Sequence, residues 1–273
     1  MGESISLGEI QETLLIPLYG RALDARKRHS VLDDRKAAEL VDTLDYDFAK
    51  FRGPSLFGSV LRASIFDGYV RSFLAEHPDG TVVDLGCGLS TRFERLDNGR
   101  VRWFDLDVPD TMELRRRFFS DSDRYTMIAG SLFDTDWFEQ VKERGGPVFL
   151  LSEAVLLYFP ADQVHSTLER IVAEFPGIGL AFDTGGRAMM NSQDRNPVFK
   201  AVPARMVWTC DDPRTLEPLG LTLLESRTFA SPQPEVGRMW PLRYRLGLKV
   251  LRCLVPPPVT TYKLNRFETA AET

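Results

Sequence analysis

The 273-residue sequence predicts an α/β fold, a doubly wound and mostly parallel sheet that follows a helical cap. From Thr81 onward, short apolar runs recur about every twenty residues, and charged segments of helix length separate them. Continuous apolar strands that alternate with helices are typical of parallel βαβ units. A hydrophobic content of 43% allows a sizeable core.

Residues 1–80 are predicted to be a helical N-terminal cap. Apolar side chains recur at helix spacing in 34–51 and again in 56–77, where they are Leu61, Ile65, Tyr69 and Phe73. The "PDG" at 78–80 ends the second helix and leads into a strand. We therefore assign 1–80 to the cap and 81–273 to the sheet domain, with a substrate-side segment at about 185–215.

The predicted strands of the sheet domain are 81–86, 101–107, 125–131, 147–153 and 179–184. A helix begins at Pro160 and ends near Gly177. Beyond this point the pattern weakens. We expect a loop over 185–197, a further strand over 219–229 and a packed terminal element in the basic stretch 240–258.

Composition favours a soluble cytoplasmic protein. With 39 acidic and 34 basic side chains, the net charge of −5 argues against general binding to nucleic acid. No apolar run approaches the ~18 residues of a membrane span, and the N-terminus does not resemble a signal peptide. Cys87, Cys210 and Cys253 lack metal-ligand spacing, so we expect a reducing compartment and no metal.

A glycine turn follows the first predicted strand in "TVVDLGCGLSTRF", residues 81–93. Gly86 and Gly88 would let backbone amides approach a ligand, but Thr91 stands where a dinucleotide site needs a third glycine. A nicotinamide enzyme is therefore improbable, and S-adenosylmethionine, which has no phosphate, fits better. Asp105 or Asp107, at the end of the second strand, would hold its ribose; spacing does not choose between them.

Three stretches together resemble one family: "VVDLGCGLSTRFERL" from 82, "WFDLDVP" from 103 and "SEAVLLYFP" from 152. In order and spacing they are similar to the leucine carboxyl methyltransferase family, and most of all to its bacterial small-molecule branch. The resemblance begins near residues 12–27 and fades after 210. It implies a class I methyltransferase fold of Rossmann type, with S-adenosylmethionine as methyl donor and S-adenosylhomocysteine as product.

The resemblance also implies a set of cofactor-binding residues. By position they are Gly86 and Gly88 for the methionine part, Asp107 for the ribose, Ser131 and Leu132 beside the adenine, Glu153 facing the cofactor, and Arg62 with Arg21 at the methionine carboxylate. Two positions depart from the family pattern, because Ser90 replaces an aspartate and Ala154 replaces a glycine.

The sequence offers no obvious catalytic base. His29 and His77 lie in polar stretches, and His165 adjoins the apolar face of a helix, so none is expected at the reacting atoms. A carboxylate acceptor, ionised at neutral pH, needs no base, and this favours a methyl ester product. Tyr158 is the one catalytic candidate.

The acceptor pocket is expected to use apolar residues after the fifth strand, namely Met189, Met190, Phe199, Met206 and Trp208, with Lys200 and Arg205 as possible partners of an acceptor carboxylate. The prediction is an O-methyltransferase for a small molecule of a polyketide-like or other secondary-metabolite pathway.

Three alternatives stay open at this stage. The chain could bind S-adenosylmethionine without transferring its methyl group, as a regulator or a cyclising catalyst. It could also modify the carboxyl group of a protein. The basic stretch 240–258 could rest on a membrane or a partner protein. The sequence does not predict the oligomeric state.

Overall fold

The protein is built on a mostly parallel sheet, as predicted, and this sheet has seven strands. The computed structural model describes residues 3–4, 11–200, 202–254 and 261–271. Numbered within this sheet, the strands are β1 Thr81–Leu85, β2 Arg102–Asp107, β3 Tyr125–Ala129, β4 Val148–Ser152, β5 Gly179–Gly185, β6 Leu221–Arg227 and β7 Tyr262–Thr269. Their order is β3-β2-β1-β4-β5-β7-β6, and only β7 runs antiparallel to its neighbours.

Eleven helices are described around this sheet: α1 Leu15–Ala25, α2 Arg35–Thr43, α3 Pro54–Glu76, α4 Arg92–Leu96, α5 Pro109–Arg115, α6 Asp136–Lys142, α7 Ala161–Glu174, α8 Arg187–Met190, α9 Pro197–Lys200, α10 Pro234–Met239 and α11 Leu242–Leu254. Pro160 caps the start of α7, and Gly177, with φ +68°, follows its end as predicted. Among the described helices, none combines the length and the hydropathy of a membrane-spanning segment.

Three local expectations were wrong. The predicted helix over 34–51 ends at Thr43, because Leu44 turns extended and pairs with the short strand Glu3–Ser4. The predicted loop over 185–197 contains α8 and a 3₁₀ turn. Strand β7 was not predicted at all, although "YKLNRFET" alternates buried and more exposed positions over much of its length.

Helix α3, which the sequence analysis assigned to the cap, also packs directly against the sheet. It contacts β4, β5 and β7, and it is buried on nearly all sides between Ser59 and Val70. This helix carries the predicted apolar face with Leu61 and Ile65, and it brings Arg62 to the carboxyl ends of the strands. The domain boundary at residue 80 stays a prediction.

Candidate active site

A cavity of about 830 Å³ lies over the carboxyl ends of the first strands. Gly86, Asp107, Ser131 and Glu153, which follow or end β1, β2, β3 and β4, line one side; we call this side the sheet end. Strand β1 lies between β2 and β4, which makes this edge the switch point at which ligands bind in open parallel sheets.

The opposite side of the cavity is largely apolar, and we call it the roof end. It is formed by the cap, the segments after β5 and β6, and helix α11. Its lining includes Ile16, Phe57, Met189, Met206, Phe229 and Leu248. The volume of the cavity lies in the upper part of the range of about 300–1,000 Å³ seen for small-molecule sites.

Hydrogen bonds to neighbouring side chains hold the backbone of the glycine turn in place. The Gly88 amide donates to Asp107 Oδ2 at 2.8 Å, while the Gly88 carbonyl accepts from Arg115 Nη1 at 2.9 Å. Arg21 Nη2 donates to the Leu89 carbonyl at 2.7 Å. The φ angles of Gly86 and Gly88 are +75° and +53°, a conformation that favours glycine. Of the two, Gly86 lines the cavity, whereas Gly88 supports the turn without lining it.

The structure separates the two candidate aspartates of β2. Asp107 lines the cavity, and burial raises its pKa even though the Gly88 and Val108 amides donate to it. Asp105 is 1% exposed and does not line the cavity. Its carboxylate accepts from Trp103, Arg115 and Tyr125. The structure thus gives Asp105 a place in the core and leaves Asp107 as the candidate for the ribose.

Arg62 and Glu153 form the charged part of the sheet end. Arg62 Nε donates to Glu153 Oε1 at 2.7 Å, and Arg62 Nη1 donates to the Tyr262 hydroxyl at 3.3 Å. Within the described residues, Arg62 Nη2 has no protein partner, so this nitrogen is left to donate to a ligand carboxylate. Burial would raise the pKa of Glu153, but Arg62 and Arg92 outweigh it and hold that pKa below its ordinary value.

Tyr262 joins Arg62 to a buried acid that the sequence analysis missed. Tyr262 lines the cavity, and its hydroxyl donates to Asp183 Oδ2. The Ala154 amide donates to both oxygens of Asp183, at 2.9 and 3.0 Å. Burial raises the pKa of Asp183 to about 6, against the opposing effect of Arg62. Tyr262 stands on β7, far beyond the recognised motifs, and only the alternating pattern of that strand could have indicated it.

A buried ionic network extends from Glu153 into the cap. Arg92 donates to Glu153, to Asp84 at 2.6 Å and to Asp67 at 2.8 Å. Its further members are Arg95, Asp34 and Arg21. Arg21 Nε donates to Asp34 at 2.9 Å and does not line the cavity. The structure therefore places Arg21 behind the glycine turn, where it holds the Leu89 carbonyl.

Three further candidates line the cavity. Ser131 and Leu132 follow β3, and Tyr158 follows β4. Burial raises the pKa of Tyr158 to about 12, so its hydroxyl stays protonated at neutral pH. Tyr158 can therefore donate a hydrogen bond to a ligand, but it is a poor base.

The predicted acceptor residues divide into two groups. Met189 and Met206 line the cavity, whereas Met190 and Trp208 are buried beside it. Neither Lys200 nor Arg205 lines it, and Arg205 pairs with Asp194 at 3.0 Å. The side chain of Phe199 lies outside the described residues.

None of the three histidines is among the lining residues of the cavity. His29 is exposed, and His165 packs edge-on to Trp208. In the described part of the chain, no group of three acidic, histidine or cysteine side chains could hold a metal ion.

Comparison with known proteins identifies the family of this site. A family model described as leucine carboxyl methyltransferase matches residues 15–172, which carry the glycine turn, Asp107 and Glu153. The chain belongs to the leucine carboxyl methyltransferase family. It is a methyltransferase that uses S-adenosylmethionine, and its sheet has the class I methyltransferase fold.

Similar proteins were found in a bacterium, a fungus and, among solved structures, in Galdieria sulphuraria. The chain is 36% identical to the tetracenomycin polyketide synthesis O-methyltransferase TcmP of Streptomyces glaucescens, over 80% of this chain and 81% of the relative. It is 30% identical to the S-adenosyl-L-methionine-dependent methyltransferase dpfgK of Gibberella zeae, over 78% and 79%. A solved putative sarcosine dimethylglycine methyltransferase from Galdieria sulphuraria has a TM-score of 0.49 at 15% identity, covering 80% of this chain and 89% of that chain.

The residues present fit S-adenosylmethionine. Arg62 offers Nη2 to the methionine carboxylate, and Asp107 offers buried acceptors to the ribose hydroxyls. Hydrogen bonds from those hydroxyls would offset the desolvation that raises the pKa of Asp107. The assignment of individual residues to parts of the cofactor stays a prediction.

Proposed function

We propose that this methyltransferase methylates the carboxylate of an apolar small molecule and forms a methyl ester. The observation that carries the proposal is the roof end, which is largely apolar and has no histidine among its lining residues. The two acidic side chains that line the cavity are already engaged: Asp107 accepts from backbone amides, and Glu153 pairs with Arg62 and Arg92.

An acceptor carboxylate reacts without losing a proton. Its usual pKa is near ~4, so it is ionised at neutral pH and needs no base. S-adenosylmethionine supplies the electrophilic methyl group when bound. One carboxylate oxygen forms the new bond to carbon, and the electron pair of the broken carbon–sulfur bond stays on sulfur. The protein has to hold both molecules in line and keep water out.

The source of the acceptor is proposed from the relatives. The Streptomyces glaucescens relative is named for polyketide synthesis, which supports an acceptor from a polyketide-like or other secondary-metabolite pathway.

The chain's three cysteines are all free in the described structure, which supports the reducing environment of the cytoplasm.

A phenol is the second candidate acceptor, and one observation favours it. Tyr262 lines the cavity and its hydroxyl donates a hydrogen bond to Asp183, whose pKa of about 6 suits a proton acceptor near neutral pH. A phenol, with a usual pKa near ~10, would need such a base.

The test uses matched acceptor pairs that differ only in the reacting group. The protein would be incubated with S-adenosylmethionine and pairs of aromatic carboxylic acids and phenols, with S-adenosylhomocysteine and the methylated product followed by mass spectrometry. We expect methyl esters, at a rate that is flat from pH 6 to 9. Methyl ethers alone, formed at a rate that rises through pH 6, would favour the phenol and overturn the ester proposal.

Cofactor binding without any methylated product across the panel, together with carboxyl methylation of an added protein, would favour the protein-modifying alternative. Cofactor binding without any turnover would favour a regulator or a cyclising catalyst. Either result would replace the proposal.

A further inference from the structure

The outer face of helix α11 carries an unusual concentration of exposed apolar side chains. Leu242, Leu246 and Val250 are 69%, 61% and 55% exposed. They are spaced four residues apart, so they form one stripe along the helix. Two more of the seven large apolar residues that are exposed in the described structure, Met239 and Leu251, lie on or next to the same helix.

The inner face of α11 explains why the helix is held there. Tyr244, Leu248 and Leu251 line the cavity, and the ring of Tyr244 lies 4.2 Å from the ring of Phe57. Just before the helix, buried Trp240 donates to Ser64 Oγ at 3.0 Å. The helix therefore roofs the cavity with one face, and the stripe of Leu242, Leu246 and Val250 points away from it.

Basic residues border the exposed stripe. Arg245 and Lys249 are exposed, and each is adjacent in sequence to a stripe residue. From 236 to 254 the sequence holds five basic residues and no acid, in a chain whose net charge is −5; they are Arg238, Arg243, Arg245, Lys249 and Arg252. Apolar side chains flanked by Lys and Arg are typical of helices that lie in the surface of an anionic membrane.

We propose that α11 docks this methyltransferase onto an anionic lipid surface, with Leu242, Leu246 and Val250 entering the interface and Arg245 and Lys249 facing the headgroups. The roof end of the cavity would then face the lipid, where an apolar acceptor accumulates. The negatively charged cytoplasmic leaflet has the chemistry that this face requires.

A second copy of the chain fits this face less well. A stable interface buries about 800 Å² on each partner, more than three side chains of one helix offer. A symmetric dimer through this face would also bring together the basic residues of both copies, with no acid from 236–254 to pair with them. Membrane association needs no such matched surface.

Co-sedimentation with vesicles tests the proposal without any need for cofactor or acceptor. The protein would be mixed with vesicles of phosphatidylcholine alone or with 30% phosphatidylserine, at about 0.1 and 0.5 M salt. We expect binding to the anionic vesicles that falls at high salt. Removing both charges in Arg245→Gln/Lys249→Gln should weaken the partition coefficient by about 25-fold, since each basic residue near the surface contributes about fivefold.

The second part of the experiment substitutes residues of the exposed stripe. Leu242→Ser/Leu246→Ser should abolish vesicle binding, whereas the control Val207→Ser/Leu224→Ser, at exposed apolar residues outside α11, should leave it unchanged. None of these residues lines the cavity, so thermal unfolding and S-adenosylhomocysteine binding should match the wild type.

Three results would overturn the proposal: no sedimentation with anionic vesicles, equal loss in the control variant, or a concentration-dependent dimer in light scattering that the two Leu→Ser changes abolish. The last result would make this face an interface between copies. Because the vesicle assay contains no methyl donor, its failure leaves the proposed function standing, and the reverse also holds.

Discussion

At the sheet end of the cavity, arginines and carboxylates bond to one another and to the backbone of the glycine turn; at the roof end, apolar side chains meet under an exposed helix. Buried ion pairs and hydrogen bonds thus fix the side chains of the sheet end before any ligand binds. A preformed site of this kind suits a cofactor that every member of the family uses. The roof end depends on shape and apolar contact, which can change with the acceptor at little cost.

The largest difference should appear when a single arginine is removed from each end. Arg92→Met leaves Asp67, Asp84 and Glu153 buried without their shared partner, and should lower the free energy of unfolding by about 3–5 kcal/mol. Arg243→Met, at an exposed arginine that lines the roof end, should change it by less than about 0.5 kcal/mol. Urea unfolding measures both; equal losses would mean that the two ends are not built differently.

The next comparison concerns the two aspartates of β2, one expected to affect cofactor binding and the other the stability of the protein. Asp107→Asn should weaken S-adenosylhomocysteine binding about 100-fold, since hydrogen bonds to a charged acceptor contribute about 1.5 kcal/mol or more each. Asp105→Asn, two residues earlier, should leave that affinity within about threefold but lower stability by about 3 kcal/mol, because it weakens the buried pair with Arg115. Calorimetric titration and urea unfolding check the pair, and a reversed pattern would exchange the two roles.

A smaller effect is expected from the hydroxyl that supports Arg62. Tyr262→Phe should raise the KM for S-adenosylmethionine about tenfold with little change in kcat, because Arg62 loses one of its two anchors. Tyr69→Phe is the matched control, since it removes a buried hydroxyl that donates to the Leu264 carbonyl away from the cavity. That control should lose stability and keep its KM. Equal KM values for wild type and Tyr262→Phe would remove Tyr262 from the cofactor site.

The smallest effect concerns a strained residue between the two ends. Ala154 has φ +58°, a left-handed conformation that costs a residue with a side chain about 1 kcal/mol. Ala154→Gly should therefore stabilise the protein by about that amount or slightly less. Ala75→Gly, at an exposed helical position near the end of α3, should destabilise it by about 1 kcal/mol instead. A lower melting temperature for both variants would contradict the assignment of strain.

The same contrast explains what the sequence could predict. Strands β1 to β5 could be predicted because buried parallel strands have continuous apolar sequences. The motifs at their ends could be predicted because they match the family pattern. The alternation of the strand could not choose which acid lines the cavity, since Asp105 and Asp107 share one side of it. The family resemblance pointed to Asp107, and in the folded chain Arg115 and Tyr125 hold Asp105 in the core. The buried role of Arg21 likewise depends on Asp34 and Leu89, which only the folded chain brings near.

At the roof end, prediction was weaker for a physical reason. Met189 and Met190 are neighbours in sequence, yet only one lines the cavity, because apolar character alone does not distinguish a pocket from a core. Tyr262 lies on β7, whose alternating pattern could indicate a strand. Its insertion between β5 and β6 from the far end of the chain is a long-range pairing, which that local pattern does not reveal.

Calorimetric titration of the wild-type protein with S-adenosylhomocysteine tests the central claim, that the charged sheet end is a preformed cofactor site. The account predicts saturable binding of about one equivalent per chain, weakened about 100-fold in Asp107→Asn and kept within about threefold in Asp105→Asn. Folded protein that gives no heat with either this compound or S-adenosylmethionine would contradict it.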